Sequence, residues 1–491
     1  EHKIMSYLRK RKFKTTAIYG LDADLIFLAM KLHRKNVFLL RERNFIDKSA
    51  DIDPSRPELD YLSIDSLKQY LIEEIEIKAG MKTKKTNTWI DDFVVMCFFF
   101  GNDFLPHIPS LLLGNNALDT LFDSYIDTKK KLKQNLVNPK TKLLNKEFLI
   151  TMLEPIAENE NAHFQEIYRK NRFQTGQAPK HLEGFEKDLF EYERLRVERK
   201  IDPVQLGKSG WQERYYRHHF GISAKDKESL FEISTCFMEG VNWVWQYYTS
   251  GVPSWQWYYP FHHGPTVSDL LEGIKHMDIN NFSFPKDEPL KPFQQLLSVL
   301  PPQSSHLLPK EYSNLMNSPD SPIADFYPID FKQDFLQKYM RWQGIPLIPF
   351  VDTSRIVDST KDLSLTKIES SRNQNIPAFF QKGKGVPPDE PYESSTDSDS
   401  IDTSFQEFLS ENIGISRLTN MKTKEVDDNN NQRDRNTRGD QGGKNRRDGK
   451  GGGKGKGNKG GKGGKGRNGN GSGSGRGSKG SKGSKGGKGN K

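Results

Sequence analysis

The sequence AIYGLDADLIFLAMKLHRKNVFLL, residues 17–40, decides the class of fold. Its first five residues are an apolar segment with strand character that runs into Asp22 and Asp24. Residues 25–33 continue as a helix, and residues 37–40 form a second apolar strand. This strand–helix–strand order predicts an α/β fold with a mostly parallel sheet and ligands at the carboxyl ends of its strands. Two further helices are predicted, at residues 64–78 and 88–100.

The composition divides the chain into four zones, at residues 1–125, 126–235, 236–355 and 356–491. The first carries the alternating strands and helices. The second is helical and charged, and its clearest segment, residues 186–200, is typical of a solvated helix with ion pairs. The third is dense in aromatic residues and proline. We expect the fourth to be disordered, because its acidic Ser/Asp segment (386–403) and its Gly-Lys repeat (440–491) lack the apolar residues that a core requires.

The net charge of +10 belongs to the end of the chain. Residues 431–491 contain 19 Lys and Arg and only 3 Asp, so the rest of the chain is acidic on balance. A tail of this kind is expected to bind nucleic-acid phosphates without sequence preference and with strong salt dependence. The alternative is a solubilising tail without a specific partner.

The chain has two cysteines, Cys97 and Cys236, far apart and without other Cys or His at metal-ligand spacing. Neither a disulfide framework nor a zinc module is therefore expected, and a reducing compartment fits. No apolar run approaches the length that spans a bilayer. We expect an intracellular protein, nuclear or cytoplasmic, rather than a secreted one.

Asp22 and Asp24 are the first candidates for chemistry. Carboxylates one residue apart at the end of a strand point to the same face of the sheet, and like charges so close repel unless a cation lies between them. Their hard oxygens suit Mg²⁺ or Mn²⁺ rather than zinc. A helix N-cap near Leu25 explains the same pair equally well.

Asp103, in FFFGNDFLPHIPSL at 98–111, is the second candidate. It follows an intensely apolar segment, which predicts partial burial and hence a compensating metal or donor. Gly101 allows the backbone to turn closely beside it, and a helix cap is again the alternative. Asp91 and Asp92 lie nearby, and a first-turn helix position is the simpler explanation for both.

Eight segments, in order, resemble the motifs of XRN-family 5′→3′ exoribonucleases over roughly residues 1–355. They are EHKIM (1–5), YGLDADLIFLAM (19–30), RPELDYLSIDSLKQYL (56–71), IDDFVVMCFFFGNDFLPHIPSL (90–111), NWVWQYYTSGVPSWQWYYPFHHGPTVSDL (242–270), FQQLLSVLPPQSSHLLP (293–309), SPIADFYP (321–328) and RWQGIPLIPFVD (341–352).

The resemblance implies a flap-endonuclease-like (PIN-type) nuclease domain, a helical and aromatic second conserved region, and a disordered tail. It also implies processive hydrolysis of 5′-monophosphorylated single-stranded RNA with two Mg²⁺ or Mn²⁺ ions. Asp22 and Asp24 match the family's DAD pair and Asp103 the aspartate of its GND motif. Glu1 matches the second glutamate of its GEGEHKI motif.

Trp342 matches the family's stacking tryptophan, a role that suits any base; a core position is the alternative. Trp243, Trp245, Trp255 and Trp257 are predicted to be packing residues. His262 and His263 are the expected exceptions as base platforms, although the family usually has Tyr and Ala at the positions of His263 and Gly264.

The resemblance further implies that the first glutamate, other metal ligands and the 5′-phosphate pocket belong to a segment before Glu1. We therefore expect residues 1–491 alone to be nearly inactive, with a separate amino-terminal half as one conceivable partner. A structure-specific DNA nuclease and a non-catalytic RNA-binding protein derived from a nuclease remain the rival functions.

Overall fold

In a computed structural model, the structure describes residues 1–42, 59–82, 85–112, 116–173, 183–193, 202–338 and 343–375. These residues lie within one unit, Glu1–Asp427, and the second unit, Asp428–Lys491, contains none of them. The acidic segment at 386–403 and the Gly-Lys repeat at 440–491, for which disorder is predicted, lie outside the described residues.

The amino-terminal zone alternates strands and helices as its sequence predicts. The elements are α1 (His2–Lys10), β1 (Thr16–Tyr19), α2 (Asp24–Lys31), β2 (Val37–Glu42), β3 (Leu59–Ser63), α3 (Ile64–Ala79) and α4 (Thr86–Cys97), followed by a 3-10 helix at Phe98–Phe100.

The sheet of the described residues is mixed. Strands β1 and β2 are parallel, with Ile18 opposite Leu39, but β3 is antiparallel to β2, with Leu62 opposite Leu39. The prediction of a mostly parallel sheet is therefore wrong for this part of the chain. Strand β3 escaped detection because Leu59 and Tyr61 are exposed, so the segment has no continuous apolar face.

Helix α2 lies at the centre of this zone and explains why its sequence is apolar on all sides. It packs against β2, α3 and α4, and Ile26, Leu28 and Met30 are each at most 1% exposed. A helix buried all round has no polar face to offer to water. Burial of such side chains stabilises the fold by about 1.5–3 kcal/mol each.

Helices predominate in the described residues after Phe100, which also contain one antiparallel pair of short strands. The helices are α5 (Ala117–Leu132), α6 (Lys146–Phe173), α7 (Gly184–Glu193), α8 (Trp211–His219), α9 (Lys227–Thr249), α10 (Val267–His276), α11 (Pro292–Val299), α12 (Lys310–Asn317), α13 (Thr353–Thr360) and α14 (Lys367–Arg372), and the paired strands are β4 (Gln333–Asp334) and β5 (Ile345–Pro346). The second half of the predicted helix at 186–200 lies outside the described residues.

Helix α9 joins the aromatic region to the amino-terminal zone. Trp243 and Trp245 are buried, and their indole nitrogens donate to the carbonyl oxygens of Ser254 (3.0 Å) and Lys142 (2.8 Å). Both therefore pack inside the protein, as predicted. Trp255 differs, because 38% of it is exposed.

The folded region continues beyond residue 355, where the sequence predicts disorder to begin. Ile356, on α13, is fully buried in a cluster with Phe293 and Tyr312. The side chain of Asn373, just after α14, accepts a 2.9 Å hydrogen bond from the backbone of Phe293. The predicted boundary is thus wrong, because a few well-spaced apolar residues fasten a polar segment to an existing core. Among the described residues, no helix has the length and apolar character to cross a membrane.

Candidate metal centre

Asp22 and Asp24 follow β1 at the carboxyl end of the parallel strand pair. Asp22 is exposed in the turn, whereas Asp24 is the first residue of α2 and only 9% exposed. The N-cap of α2 is Ala23, which makes no side-chain capping hydrogen bond, but Asp22 Oδ1 accepts a 3.4 Å hydrogen bond from the backbone nitrogen of Asp24 at the start of the helix. The helix-cap alternative therefore has support for Asp22 and none for Asp24.

Asp103 lies in a tight turn after the 3-10 helix. Gly101 has φ = +88°, and a Cβ there would lie 2.7 Å from the backbone nitrogen of His107. The side-chain oxygen of Asn102 accepts hydrogen bonds from the backbone of Phe104 (2.9 Å) and Leu105 (3.0 Å), which fixes the turn. Asp103 precedes no helix, so it is not a cap. The residue as a whole is exposed, yet partial burial of its carboxyl, followed by the charge of Asp22, raises its pKa.

Glu1 reaches the same region through helix α1. The guanidinium of Arg9 donates to the carbonyl oxygens of Tyr247 (3.0 Å) and Tyr248 (2.9 Å), near the carboxyl end of α9. The hydroxyl of Tyr247 in turn lies 3.4 Å from the Glu1 carboxylate. Helix α1 is thus fastened to α9, and this contact places Glu1 beside the other acids.

Electrostatic coupling shows that the four predicted acids meet. Burial, followed by the negative charges of Asp103, Asp22 and Glu1, raises the pKa of Asp24 to about 7. Burial raises the pKa of Glu1 as well, with contributions from Asp22 and Asp103. Acids from three separate stretches of sequence therefore lie near one another in the structure.

These acids fit a divalent cation. The Oδ2 atom of Asp24 is buried and has no hydrogen-bond donor among the described residues. A hydrogen bond from Tyr248 offsets only part of the rise in the pKa of Asp24. Clustered carboxylates with so little compensation call for positive charge, and all-oxygen ligands favour Mg²⁺ or Mn²⁺.

The four carboxylates enclose a volume rather than a single point. No three of them place ligand oxygens within 4.8 Å of one another. Asp24 forms the buried floor, and the exposed residues Glu1, Asp22 and Asp103 surround its mouth. Such an arrangement leaves room for substrate oxygens or water beside a cation.

Sequence reasoning missed the residues that support the acids. Tyr247 and Tyr248 lie in an aromatic stretch that gives no sign of their proximity to Asp24, and Arg9 resembles any exposed helical arginine. Arg41, on β2, is close enough to Asp22 for the carboxylate to raise its pKa against the effect of burial. No local pattern could have identified these contacts, since they depend on tertiary packing.

Asp91 and Asp92 are structural rather than first-turn residues. They lie in the middle of α4 and are at most 1% exposed. Asp91 pairs with Lys31 (2.7 Å), and Asp92 pairs with Lys129 (3.0 Å). The prediction of a first-turn position is wrong.

The structure bears differently on the three residues that the sequence suggests for stacking with RNA bases. Trp342 lies outside the described residues. His263 is only 7% exposed, and its burial contradicts a role as a base platform. His262 is partly buried, and its ring nitrogen lies 3.1 Å from the carbonyl oxygen of Ile348.

Geometry thus defines an α/β protein with an acidic centre suited to divalent cations, and comparison with known proteins identifies its family. Residues 1–43 match the family model described as the XRN 5'-3' exonuclease N-terminus. Residues 83–195 and 157–414 match the one described as the Xrn1 helical domain. The chain belongs to the XRN family.

Curated relatives agree with this assignment. The chain is 30% identical to 5'-3' exoribonuclease 2 of Arabidopsis thaliana, over 77% of this chain and 48% of that protein. It is 31% identical to human 5'-3' exoribonuclease 1, over 76% of this chain and 24% of that protein. With 5'-3' exoribonuclease 2 of Gallus gallus it shares 29% identity, over 76% of this chain and 50% of that protein. The chain therefore spans about half the length, or less, of these relatives.

Proposed function

We propose that this protein acts as a 5′→3′ exoribonuclease, hydrolysing phosphodiester bonds of RNA one after another from the 5′ end. The observation that carries the proposal is the proximity of Glu1, Asp22 and Asp103 to the buried Asp24, whose Oδ2 atom has no hydrogen-bond partner among the described residues. The names of the relatives support the reaction class.

Glu1, Asp22, Asp24 and Asp103 would hold the divalent cations, for which we propose two Mg²⁺ or Mn²⁺ ions. When bound, such ions activate water and neutralise charge on the scissile phosphate. Tyr248 and the apolar α2 shield Asp24 from solvent, and Arg9 keeps the Glu1 side of the centre in place. Phosphodiester hydrolysis needs this positioning and charge compensation more than a covalent nucleophile.

We propose single-stranded RNA with a 5′-monophosphate as the substrate. The exposed mouth of the acidic centre supports access by a flexible strand. The half-exposed ring of Trp255 contacts His2 edge-on, at 4.9 Å between ring centroids, and offers an aromatic surface near Glu1. Trp342 remains a proposed stacking residue on the strength of the motif RWQG, and the specificity for a 5′-monophosphate rests on the resemblance.

Three further features remain proposals. The parallel pair of β1 and β2, with Asp22 at its carboxyl end, supports a PIN-type nuclease domain of the flap-endonuclease kind. Two free cysteines support a reducing compartment, nuclear or cytoplasmic. The Gly-Lys repeat supports nonspecific binding of nucleic acid.

Mn²⁺ binding to the 491-residue chain, with Mg²⁺ as competitor, tests the acidic centre. We expect Asp24→Asn and Asp103→Asn each to weaken binding at least tenfold, whereas Asp330→Asn, which neutralises an exposed acid elsewhere, should have no effect. Equal affinities in all three variants would remove the metal centre.

The reaction class is tested with 5′-labelled substrates in Mg²⁺. With the amino-terminal segment of an XRN relative supplied, because residues 1–491 alone are expected to be nearly inactive, we expect labelled mononucleotide to be released first from single-stranded RNA and this release to be lost in Asp24→Asn. Preferential cleavage of flapped DNA would instead indicate the structure-specific DNA nuclease. RNA binding without hydrolysis by the unaltered protein, at an affinity that Asp24→Asn leaves unchanged, would favour the non-catalytic alternative.

A further inference from the structure

A second cluster of metal-ligating side chains lies apart from the acidic residues and has no part in the proposed reaction. Its members are His218, His219, His263 and Asp334. One ligand atom each of His218, His219 and Asp334 lies within 4.8 Å of the others. The Nε2 atom of His263 lies 2.7 Å from the Oδ2 atom of Asp334, and the rings of His263 and His219 are 3.8 Å apart between centroids.

The side-chain atoms of this cluster lie close together, but several of them lack the angles that a hydrogen bond requires. The Oδ2 atom of Asp334 lies 3.1 Å from Nδ1 of His219, yet it is buried without a partner of hydrogen-bond geometry among the described residues. The Nε2 atom of His219 and both ring nitrogens of His263 are also buried and unpartnered. Leaving several such atoms unsatisfied costs about 1–3 kcal/mol each, so a bound group that accepts their lone pairs would stabilise the fold.

The donor atoms suit a borderline transition-metal ion. Imidazole nitrogens and one carboxylate favour Zn²⁺ over Mg²⁺, which prefers oxygen ligands. A tetrahedral zinc ion with bonds of about 2.0–2.1 Å holds its ligands about 3.3 Å apart. The 3.1 Å separation of His219 and Asp334 is near that value. The rings of His219 and His263 are too close together for both to bind one tetrahedral ion, so His263 contacts the Asp334 carboxylate instead.

The cluster is open to solvent on one side. His218, at the end of α8, is exposed, whereas His219 and Asp334 are partly buried. An ion from solvent can therefore reach the cluster beside His218.

We propose that His218, His219 and Asp334 bind a structural Zn²⁺ ion, while His263 contacts the Asp334 carboxylate without binding the ion. The ion would join the end of α8 to strand β4, which lie more than 100 residues apart in the sequence. Such dispersed ligands have no recognisable spacing. Gln337, three residues after Asp334, donates a 2.9 Å hydrogen bond to the carbonyl oxygen of Pro109. The site would therefore brace the segment that follows the Asp103 turn.

Zinc titration of the chelator-treated 491-residue chain tests this proposal, with excess Mg²⁺ present to occupy the acidic centre. We expect one Zn²⁺ per chain, bound with a Kd on the order of micromolar or tighter, and a rise in Tm that Mg²⁺ alone does not give. Co²⁺ substitution should produce the visible absorption of a tetrahedral site.

His219→Gln and Asp334→Asn should each weaken zinc binding at least tenfold, and His263→Gln should weaken it less, because it removes a contact to Asp334 rather than a ligand. The exposed His218→Gln, which should fold in any case, reports on the site if the buried variants do not fold. His276→Gln removes an exposed histidine that lies beside Glu272 and should bind zinc normally, as should Asp24→Asn. The proposal is overturned if the protein binds no stoichiometric zinc. It is also overturned if His218→Gln and His219→Gln bind as much zinc as His276→Gln. Neither result would affect the acidic centre.

Discussion

The guanidinium of Arg9 lies 2.9 Å from the carbonyl oxygen of Tyr248, and this contact fastens the first helix to the end of α9 beside the acidic centre. A second hydrogen bond reaches the carbonyl of Tyr247. Carbonyl oxygens near a helix carboxyl end lack intrahelical partners and favour a cation. Arg9 therefore donates hydrogen bonds to carbonyl oxygens at the end of α9 and also positions Glu1.

Replacing Arg9 with methionine should lower the free energy of unfolding by about 1–3 kcal/mol, because two partly buried carbonyls lose their donor. Mn²⁺ affinity should fall several-fold, since Glu1 is no longer held in place. Arg9→Lys should restore part of both losses. Arg11→Met, which removes an exposed charge two residues away, is the control; equal Mn²⁺ affinity in Arg9→Met and Arg11→Met would contradict a positioning role. Urea unfolding and Mn²⁺ titration supply the measurements.

Asp24→Asn should stabilise the metal-free protein while it abolishes metal binding. Asp24 is buried among three other carboxylates, and neutralising it removes both repulsion and the burial of charge. We expect a gain of about 1 kcal/mol in EDTA, and a loss of the Mg²⁺-dependent rise in Tm that the unaltered protein shows. Thermal unfolding with and without Mg²⁺ measures both effects. A less stable Asp24→Asn protein in EDTA would mean that the carboxylate is compensated by the protein itself.

The four acids were proposed as metal ligands because short motifs resemble those of the XRN family, and this role stays a prediction. Asp22 and Asp24 follow an apolar strand. Asp103 follows Gly101, and glycine adopts backbone conformations that are strained for other residues. The structure brings both groups and Glu1 together. What could not be predicted was burial: Asp24 is enclosed and Asp103 is exposed, and local sequence does not distinguish them.

The fold was predictable where an element has a clear apolar periodicity. Helix α2 and the parallel pair of β1 and β2 were found, since both are buried on the expected faces. Strand β3 was missed, because a strand with an exposed face of leucine and tyrosine resembles a loop. The dispersed ligands of the proposed zinc site were invisible for a related reason, as only tertiary packing brings His219 and Asp334 within 3.1 Å.

Deleting residues 430–491 should reduce the salt dependence of RNA binding. The Lys and Arg residues of this segment would neutralise phosphates and release counterions, and each such contact contributes about 0.7 to the slope of log K against log salt for single strands. Deleting the acidic segment 386–403 controls for chain length and should not lower the slope. Fluorescence anisotropy at several salt concentrations measures it, and an unchanged slope after deletion of 430–491 would exclude the tail from RNA binding.

Asp91→Asn should destabilise the fold by about 3–5 kcal/mol at pH 7, because a buried cluster of positive groups loses its anion. Burial favours protonation of Asp91, but His33 and Lys31 lower its pKa to about 2. Lys142 also contacts it at 2.9 Å, and Lys68 lies close enough for Asp91 to affect its pKa.

The pH dependence of this effect has a definite sign. Because the pKa of Asp91 is lower in the folded protein than its usual value of 3.8, its stabilisation is complete above about pH 4 and is lost as the pH falls towards 2. The stability difference between the unaltered protein and Asp91→Asn should therefore shrink between pH 4 and pH 2. Asp330→Asn should show no such difference. Urea unfolding across this range is the measurement, and a difference that stays constant down to pH 2 would contradict the role of the charge.

Gly101→Ala should impair the acidic centre in a way that Gly80→Ala does not. Both glycines have positive φ, +88° and +64°, so alanine is strained at either position. At Gly80, the C-cap of α3, an added Cβ meets nothing within 4 Å, and the expected cost is about 1 kcal/mol. At Gly101 it would lie 2.7 Å from the backbone of His107, so the turn that carries Asp103 must shift, at a cost of about 3 kcal/mol. Mn²⁺ affinity should fall in Gly101→Ala alone; equal affinity and equal stability in the two variants would show that the turn does not position Asp103.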